Sequence, residues 1–321
     1  MKIWCNADFG PEGMSLLAEG VRAHSLVLSD KRNRSVLTEG QRDPALAQAD
    51  IAFGQPDPAD CIESTSLRWV EVSSAGYTRY DSDEFRNAIR ARGAVFTNAS
   101  QVYADACSEH VLAMMLALAR QLLPSYAGQL GDKGWPYNER RNASRLLSGQ
   151  TVVMLGFGSI GRRLSELLAP FGGKIYAVRR QIHSEPGVHV VPEADLTRVL
   201  AEADHVVDVL PENESTRNYV NARRISCFKP GARFYNIGRG ATVDQDALIE
   251  GLKSGRIGAA YLDVTVPEPL PPAHPLWTTP NCFITPHTAG GRDNVNVELV
   301  RHFLANLAAF EKGSEMTDRV L

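Results

Sequence analysis

Cysteine is scarce. Five residues (Cys5, Cys61, Cys107, Cys227, Cys282) lie scattered through 321, odd in number and without a C-x-x-C pair. That pattern excludes a disulfide framework and a thiolate metal site, so no metal is expected; the thiols read as reduced, in a cytoplasmic protein. An excess of one charge is missing as well. Lys and Arg number 34 against 37 Asp and Glu, for a formal net charge of −3. Such a balance gives no electrostatic ground for nucleic acid or a membrane surface as a partner. The longest apolar run, Val111 to Ala119, is far too short to span a bilayer, and Met1 to Gly10 has no signal-like apolar core. With 44% hydrophobic and 22% charged residues, the chain fits a soluble globular protein large enough for two domains.

Thr151 to Gly161, TVVMLGFGSIG, is the most informative stretch. Thr151 to Leu155 reads as a buried strand, and Arg162 to Leu168 as a helix with Leu164, Leu167 and Leu168 on one face. Gly156, Gly158 and Gly161 between them have the G-x-G-x-x-G spacing of a dinucleotide-binding turn. There the first glycine permits the tight turn, the second admits a pyrophosphate to the backbone, and the third lets helix and strand pack closely. Phe157, Ser159 and Ile160 complete that cofactor loop, whose N–H groups and helix dipole suit phosphate. The next strand, Lys174 to Val178, ends in Arg179 and Arg180 where an NAD site carries a carboxylate. A guanidinium pairs with a 2′-phosphate that a carboxylate would repel, so NADP(H) is the expected cofactor and NAD(H) the lesser one. Surface arginines merely facing solvent are the plainer alternative.

The first hundred residues alternate strands with helical patterns. Lys2–Cys5, Leu26–Leu28, Asp50–Phe53, Trp69–Val72 and Val95–Thr97 read as strands; Gly13–Ala23, Arg42–Ala49 and Asp83–Arg92 read as helices. This alternation predicts a parallel sheet covered on both faces, here without a glycine fingerprint. Loops at its carboxyl edge, Gly54-Gln55 and Ser74-Ala75-Gly76-Tyr77, could hold an anion through backbone N–H groups, although such turns are by themselves more often plain turns. Val102 to Leu123 reads as one long buried helix ended by Pro124, and Ser125 to Leu147 as a polar, irregular arm around Trp135 that wraps a partner subunit. Glu109 and His110 do not face each other on a helix, which favours a structural role for them.

Strands recur at His205–Leu210, Arg233–Ile237, Ala259–Leu262 and Cys282–Thr285, continuing a doubly wound sheet whose carboxyl edge should carry the site. Leu210 and Pro211, then Ile237, Gly238 and Arg239, then Asp263, Glu268, His287 and Ala289 all fall at or just past that edge. Singly, Arg239, Glu268 and His287 read as well as ordinary surface or structural residues. Together they supply a cation for a carboxylate, a titratable imidazole and a carboxylate to tune it, which suits proton transfer coupled to hydride transfer.

Over essentially its whole length the chain resembles the D-isomer-specific 2-hydroxyacid dehydrogenases. The resemblance rests on the fingerprint 156–161, Asn236-Ile-Gly-Arg-Gly240, Leu262-Asp-Val-Thr-Val-Pro-Glu-Pro-Leu270, His274-Pro-Leu-Trp277 and Thr285-Pro-His-Thr-Ala-Gly290, in that order. It implies an α/β protein with two doubly wound parallel-sheet domains. One is a Rossmann dinucleotide domain, 100–290; the other is a smaller flavodoxin-like substrate domain, 1–99 plus 291–321, to which a final helix at Asn294–Glu311 returns. It also implies a cleft between them, with Arg239 binding the substrate carboxylate and carbonyl, His287 as general acid–base, Glu268 paired with it, Asp263 near the carboxamide, and Ser74, Ala75 and Gly76 on the carboxylate. Arg179 departs from the family's usual Asp. The family's formate dehydrogenases carry Gln at the place of Glu268, which argues against formate oxidation. The resemblance therefore implies a reductase of small 2-oxo acids, with glyoxylate and hydroxypyruvate foremost; the buried long helix and the arm around Trp135 suggest a homodimer. The alternative is a dinucleotide-sensing, non-catalytic binding protein of the corepressor type, but no long disordered tail or basic patch speaks for it.

Overall fold

In the computed structural model, which describes residues 1–179 and 182–321, two parallel sheets form two compact units. The first comprises Met1–Tyr103 with Arg292–Leu321, the second Ala104–Gly291.

The first unit holds strands β1 (Lys2–Ala7), β2 (Ser25–Asn33), β3 (Ile51–Gly54), β4 (Trp69–Val72) and β5 (Val95–Thr97). Their order, β2-β1-β3-β4-β5, is flavodoxin-like, and all pairings are parallel. Helix Val295–Lys312 returns to this unit because its apolar stripe completes the core. Phe303 stacks on Phe53 at 4.1 Å and on Trp69 at 5.0 Å between ring centroids. Beyond it, the Val320 N–H donates to the Phe96 carbonyl at 2.8 Å.

The predicted helix at Arg42–Ala49 is only a 3₁₀ turn, Pro44–Gln48, capped by Asp43. A helix absent from the sequence reading, Pro58–Glu63, begins where Asp57 accepts from the N–H groups of Ala59 and Asp60. Its signal was present as an acidic N-cap followed by Pro at the first helical position.

The long helix is Ser100–Ala119, and it runs across the boundary between the units. It is long and apolar enough by composition to cross a membrane, but more than half of it is buried within the protein. Pro124 does not end it. Gln121, at φ 59°, breaks the helix, and Pro124 lies in the first turn of the next one, Leu122–Leu130. Proline is tolerated there because first-turn N–H groups have no intrahelical partner. The segment expected to be irregular therefore holds two helices, Leu122–Leu130 and Tyr137–Ala143.

The second unit contains β6 (Thr151–Leu155), β7 (Lys174–Val178), β8 (His189–Val191), β9 (His205–Asp208), β10 (Ala232–Asn236), β11 (Ile257–Leu262) and β12 (Cys282–Ile284). The order β12-β11-β10-β9-β6-β7-β8 is the doubly wound Rossmann arrangement with one added edge strand. Its middle strands are apolar runs buried on both faces, as a parallel sheet between helix layers requires. The three-residue edge strand β8 was not legible in the sequence. The chain reverses between β6 and β9, and the carboxyl ends there carry the glycine loop and residues 208–211.

Candidate active site

The glycine loop leaves β6 through Gly156, which adopts φ +87° and donates its N–H to the Val178 carbonyl. Gly158 is the N-cap of helix Ser159–Leu168, and a Cβ added there would meet no protein atom within 4 Å. The face it leaves bare, beside a helix N-terminus, fits a phosphate-bearing ligand. A Cβ on Gly161 would press on the Phe157 ring at 3.1 Å and touch the Gly156 carbonyl oxygen at 3.6 Å, where the helix lies close to the turn that leaves β6.

Past β7, Arg179 Nη1 lies 3.5 Å from Glu185 Oε1, and Arg162 Nη2 lies 2.7 Å from the same oxygen. The hydrogen bond from Arg162 holds the Glu185 carboxyl below its usual range, helped by the charges of Arg162, Arg179 and His183. Arg180 lies outside the described residues. Arg162 was read only as part of the helix; its place in the first turn after the fingerprint was the available signal.

Loops after β9 and β10 touch through their backbones. A Cβ on Gly238 would stand 2.7 Å from the Leu210 carbonyl oxygen, and one on Gly240 would stand 2.2 Å from the carbonyl of Thr265. Only glycine permits these approaches. Asn236 fixes the turn between them, accepting from Gly238 N–H and donating to the Arg239 carbonyl, both at 2.9 Å. Arg239 Nη1 donates to the Gly238 carbonyl at 2.7 Å. Pro211 and Leu210 shape the neighbouring loop, where the Pro211 carbonyl accepts from Thr216 at 2.6 Å.

Glu268, flanked by Pro267 and Pro269, places Oε2 2.7 Å from His287 Nδ1 and accepts the Thr265 N–H on Oε1 at 3.0 Å. Burial alone would raise the Glu268 carboxyl. The hydrogen bond and charge of His287, the Thr265 N–H and the charge of Arg239 together bring it below its usual range. His287 Nε2 has no hydrogen-bond partner among the described residues. The residue adopts φ +55°, rare without glycine, and its N–H donates to the Asp263 carbonyl at 2.8 Å. Buried Asp263 accepts from Thr285 Oγ1, Thr288 N–H and Ala289 N–H at 2.5, 2.8 and 2.9 Å, so its carboxylate fastens the histidine loop. Thr285 in turn contacts the Tyr261 hydroxyl, which hydrogen-bonds His110. The sequence placed Arg239, Glu268, Asp263 and His287 at the sheet edge but gave no sign of Asn236, Thr265 or Thr285 as their supports.

In the first unit, the Ser74–Gly76 turn has its carbonyls occupied. Ser74 accepts from Ala99 N–H at 3.0 Å, Ala75 from Asn98 at 2.7 Å, and Gly76 from the Ser74 hydroxyl at 2.6 Å. The N–H groups of Ala75 and Gly76 have no acceptor among the described residues. Gln55 donates to Ser73 and Ser74 hydroxyls and so braces the turn. Such a turn presents donors without a formal charge.

A glycine-turn Rossmann unit with a carboxylate–imidazole pair at its edge defines a nicotinamide-dinucleotide oxidoreductase class. Comparison with known proteins narrows it. Residues 112–289 match the family model described as D-isomer specific 2-hydroxyacid dehydrogenase, NAD binding domain. The chain is 30% identical over 285 residues to glyoxylate/hydroxypyruvate reductase B of Pectobacterium atrosepticum, covering 84% of this chain and 85% of that one. It is 31% identical over 258 residues to the mouse glyoxylate reductase/hydroxypyruvate reductase, covering 78% and 77%. A D-isomer specific 2-hydroxyacid dehydrogenase family protein from Aeromonas salmonicida superposes with a TM-score of 0.75 at 28% identity, over 100% of this chain and 98% of that one. The chain belongs to the D-isomer-specific 2-hydroxyacid dehydrogenases and is an NAD(P)-dependent 2-hydroxyacid oxidoreductase.

Proposed function

We propose that this enzyme is a reductase of small 2-oxo acids that prefers NADPH, with glyoxylate and hydroxypyruvate as its first substrates. The 2.7 Å contact between Glu268 and His287 carries the reading, with Arg239 close enough for its charge to reach Glu268. The names of the two relatives at 30% and 31% identity support the substrate class. In this reading Gly156, Phe157, Gly158, Ser159, Ile160 and Gly161 seat the pyrophosphate, and Leu210, Pro211, Ile237, Gly238 and Ala289 wall the nicotinamide. Arg179, with Arg162 and Arg180, receives the 2′-phosphate. The dinucleotide, when bound, supplies a hydride to the carbonyl carbon.

The protein's own part is binding and proton management. Arg239 pairs with the substrate carboxylate and polarises the carbonyl; the Ala75 and Gly76 N–H groups are donors suited to a carboxylate. Glu268 holds His287 through Nδ1 and stabilises the imidazolium, leaving Nε2 to give its proton to the carbonyl oxygen. Residues 1–99 and 291–321 then serve substrate, and 100–290 serve the dinucleotide.

The exposed apolar side chains Leu130 (68% accessible) and Trp135 (92% accessible), with Leu122, Tyr126, Tyr137 and Leu146, fit a surface covered by a second copy in a cytoplasmic homodimer. No observation favours the corepressor-type alternative. The test is a panel of 2-oxo acids assayed with NADPH and with NADH, followed by absorbance of the reduced nicotinamide. The expected result is highest kcat/KM for glyoxylate or hydroxypyruvate with NADPH. Absence of turnover with every acid would overturn the substrate reading, and an NADH preference would overturn the cofactor reading.

A further inference from the structure

Strand β9 ends in a buried carboxyl group at the centre of the seven-stranded sheet. Asp208 has no accessible surface and pairs in register with Leu155 on β6 and Asn236 on β10. No Lys, Arg or His forms an ion pair with it among the described residues. Its two oxygens have different neighbours: Oδ1 accepts the Leu210 N–H at 3.0 Å, and Oδ2 lies 2.6 Å from Thr242 Oγ1. That same Oγ1 lies 2.6 Å from the Arg239 carbonyl oxygen.

Proton counting settles the direction of these bonds. A threonine hydroxyl carries one hydrogen, and a backbone carbonyl can only accept. At 2.6 Å the Thr242 hydrogen belongs to the Arg239 carbonyl, because two bare oxygens would repel at that distance. Thr242 Oγ1 then offers Asp208 only lone pairs, so Oδ2 approaches as an O–H donor.

We propose that Asp208 is a neutral carboxylic acid that positions Arg239, donating to Thr242, which donates to the Arg239 carbonyl. This inference rests on the reading of Arg239 as the ligand of the substrate carboxylate. The surroundings favour the neutral form, since burial without a counter-charge pushes this carboxyl up to about 7. Around Asp208 stand Leu155 from β6, Asn236 from β10, and Thr242 and Arg239 from the loop that follows. Tyr219, hydrogen-bonded to Glu193, is the further titratable group that feels its charge. Ionisation of Asp208 removes the hydrogen that Thr242 accepts. The hydroxyl then turns toward the carboxylate and releases the Arg239 carbonyl, leaving it to Asn236 and the Thr242 N–H. Substrate affinity therefore falls as pH rises, while the glycine loop 156–161, which makes none of these contacts, keeps its pyrophosphate donors.

Asp208→Asn separates charge from hydrogen bonding, because its amide still donates to Thr242 and accepts from Leu210 but does not titrate. In the wild type, KM for glyoxylate should rise about threefold or more between about pH 6 and about pH 9, as one hydrogen bond weakens. In Asp208→Asn it should stay flat, and in Thr242→Val it should be raised about tenfold throughout, with KM for NADPH unchanged in both. The wild-type-minus-Asp208→Asn infrared difference spectrum should contain the C=O stretch of a protonated carboxyl at about pH 6 and lose it by about pH 9. Absence of that band, or an Asp208→Asn profile that follows the wild type, overturns the proposal. Arg239→Gln with a wild-type KM while the band persists would instead place the failure in the substrate reading of Arg239.

Discussion

Glu268 and His287 are 19 residues apart in sequence and meet because Asp263 ties the histidine loop to the end of β11. If His287 moves the proton, His287→Ala should lower kcat by about 10²–10⁴-fold while the NADPH dissociation constant, read by fluorescence titration, stays within about twofold. Glu268→Gln keeps a hydrogen bond but removes the charge and should lower kcat less. The carboxyl of Glu268 is held below its usual range, so the stability its ionised form brings is present above that range and is lost as pH falls through the lowered value. Glu185 suggests a second experiment. It already occupies Arg162 and Arg179, so a 2′-phosphate must compete with it. Glu185→Gln should lower KM for NADPH about threefold and leave KM for NADH nearly unchanged; if NADPH is the preferred cofactor, Arg179→Asp with Arg180→Ala should shift the kcat/KM ratio toward NADH, and an unchanged ratio would overturn that reading. At this scale the sequence revealed the residues whose chemistry is local to a motif. It hid Arg162, Thr242 and Asp208, whose partners come from distant segments and whose types look ordinary in a helix or at a strand end.

Strands β4, β5, β6 and β7 fall where alternation and apolar runs put them, because most of their side chains are buried. Misreadings cluster at prolines. Pro44 and Pro58 each open a helical turn and Pro124 lies in the first turn of another; the sequence reading runs a helix through Pro44, places none at Pro58 and takes Pro124 as a stop. The tail after helix Val295–Lys312 shows how a segment without a strong pattern is fixed. His302 Nδ1 lies 3.1 Å from Glu71, and its Nε2 lies 3.2 Å from Asp318, while Asn306 donates to Glu71 at 2.8 Å. Burial alone would lower the His302 pKa, but Asp318 and Glu71 push it up to about 9. The imidazolium therefore stabilises the fold fully below about pH 6.5, its unfolded value, and the contribution is lost as pH rises through about 9. His302→Gln should lower Tm by about 4 °C or more at about pH 6 and by less at about pH 10, as measured by calorimetry. An equal loss at both pH values would show that the imidazole acts by packing alone.

For the whole molecule, the two sheets were legible from the spacing of strands; contacts divide the chain into compact units at 103/104 and 291/292, the first within helix Ser100–Ala119. Association is a property of the same scale. Helix Leu122–Leu130 buries none of its residues, and Trp135 follows it almost wholly accessible. If a second copy covers them, Leu130→Glu with Trp135→Glu should convert a dimer to a monomer in sedimentation at about 10 µM, within the range of stable interfaces. A monomeric wild type would remove that proposal. The return of residues 292–321 to the first unit also sets an order of assembly. Domains generally close in the order they leave the ribosome. Here the continuous middle portion can close first, whereas the portion that starts the chain stays unfinished until Phe303 arrives to fill its place between Phe53 and Trp69. A stop codon within residues 292–321 would thus strike the unit that holds Phe53 and Trp69 and spare the other.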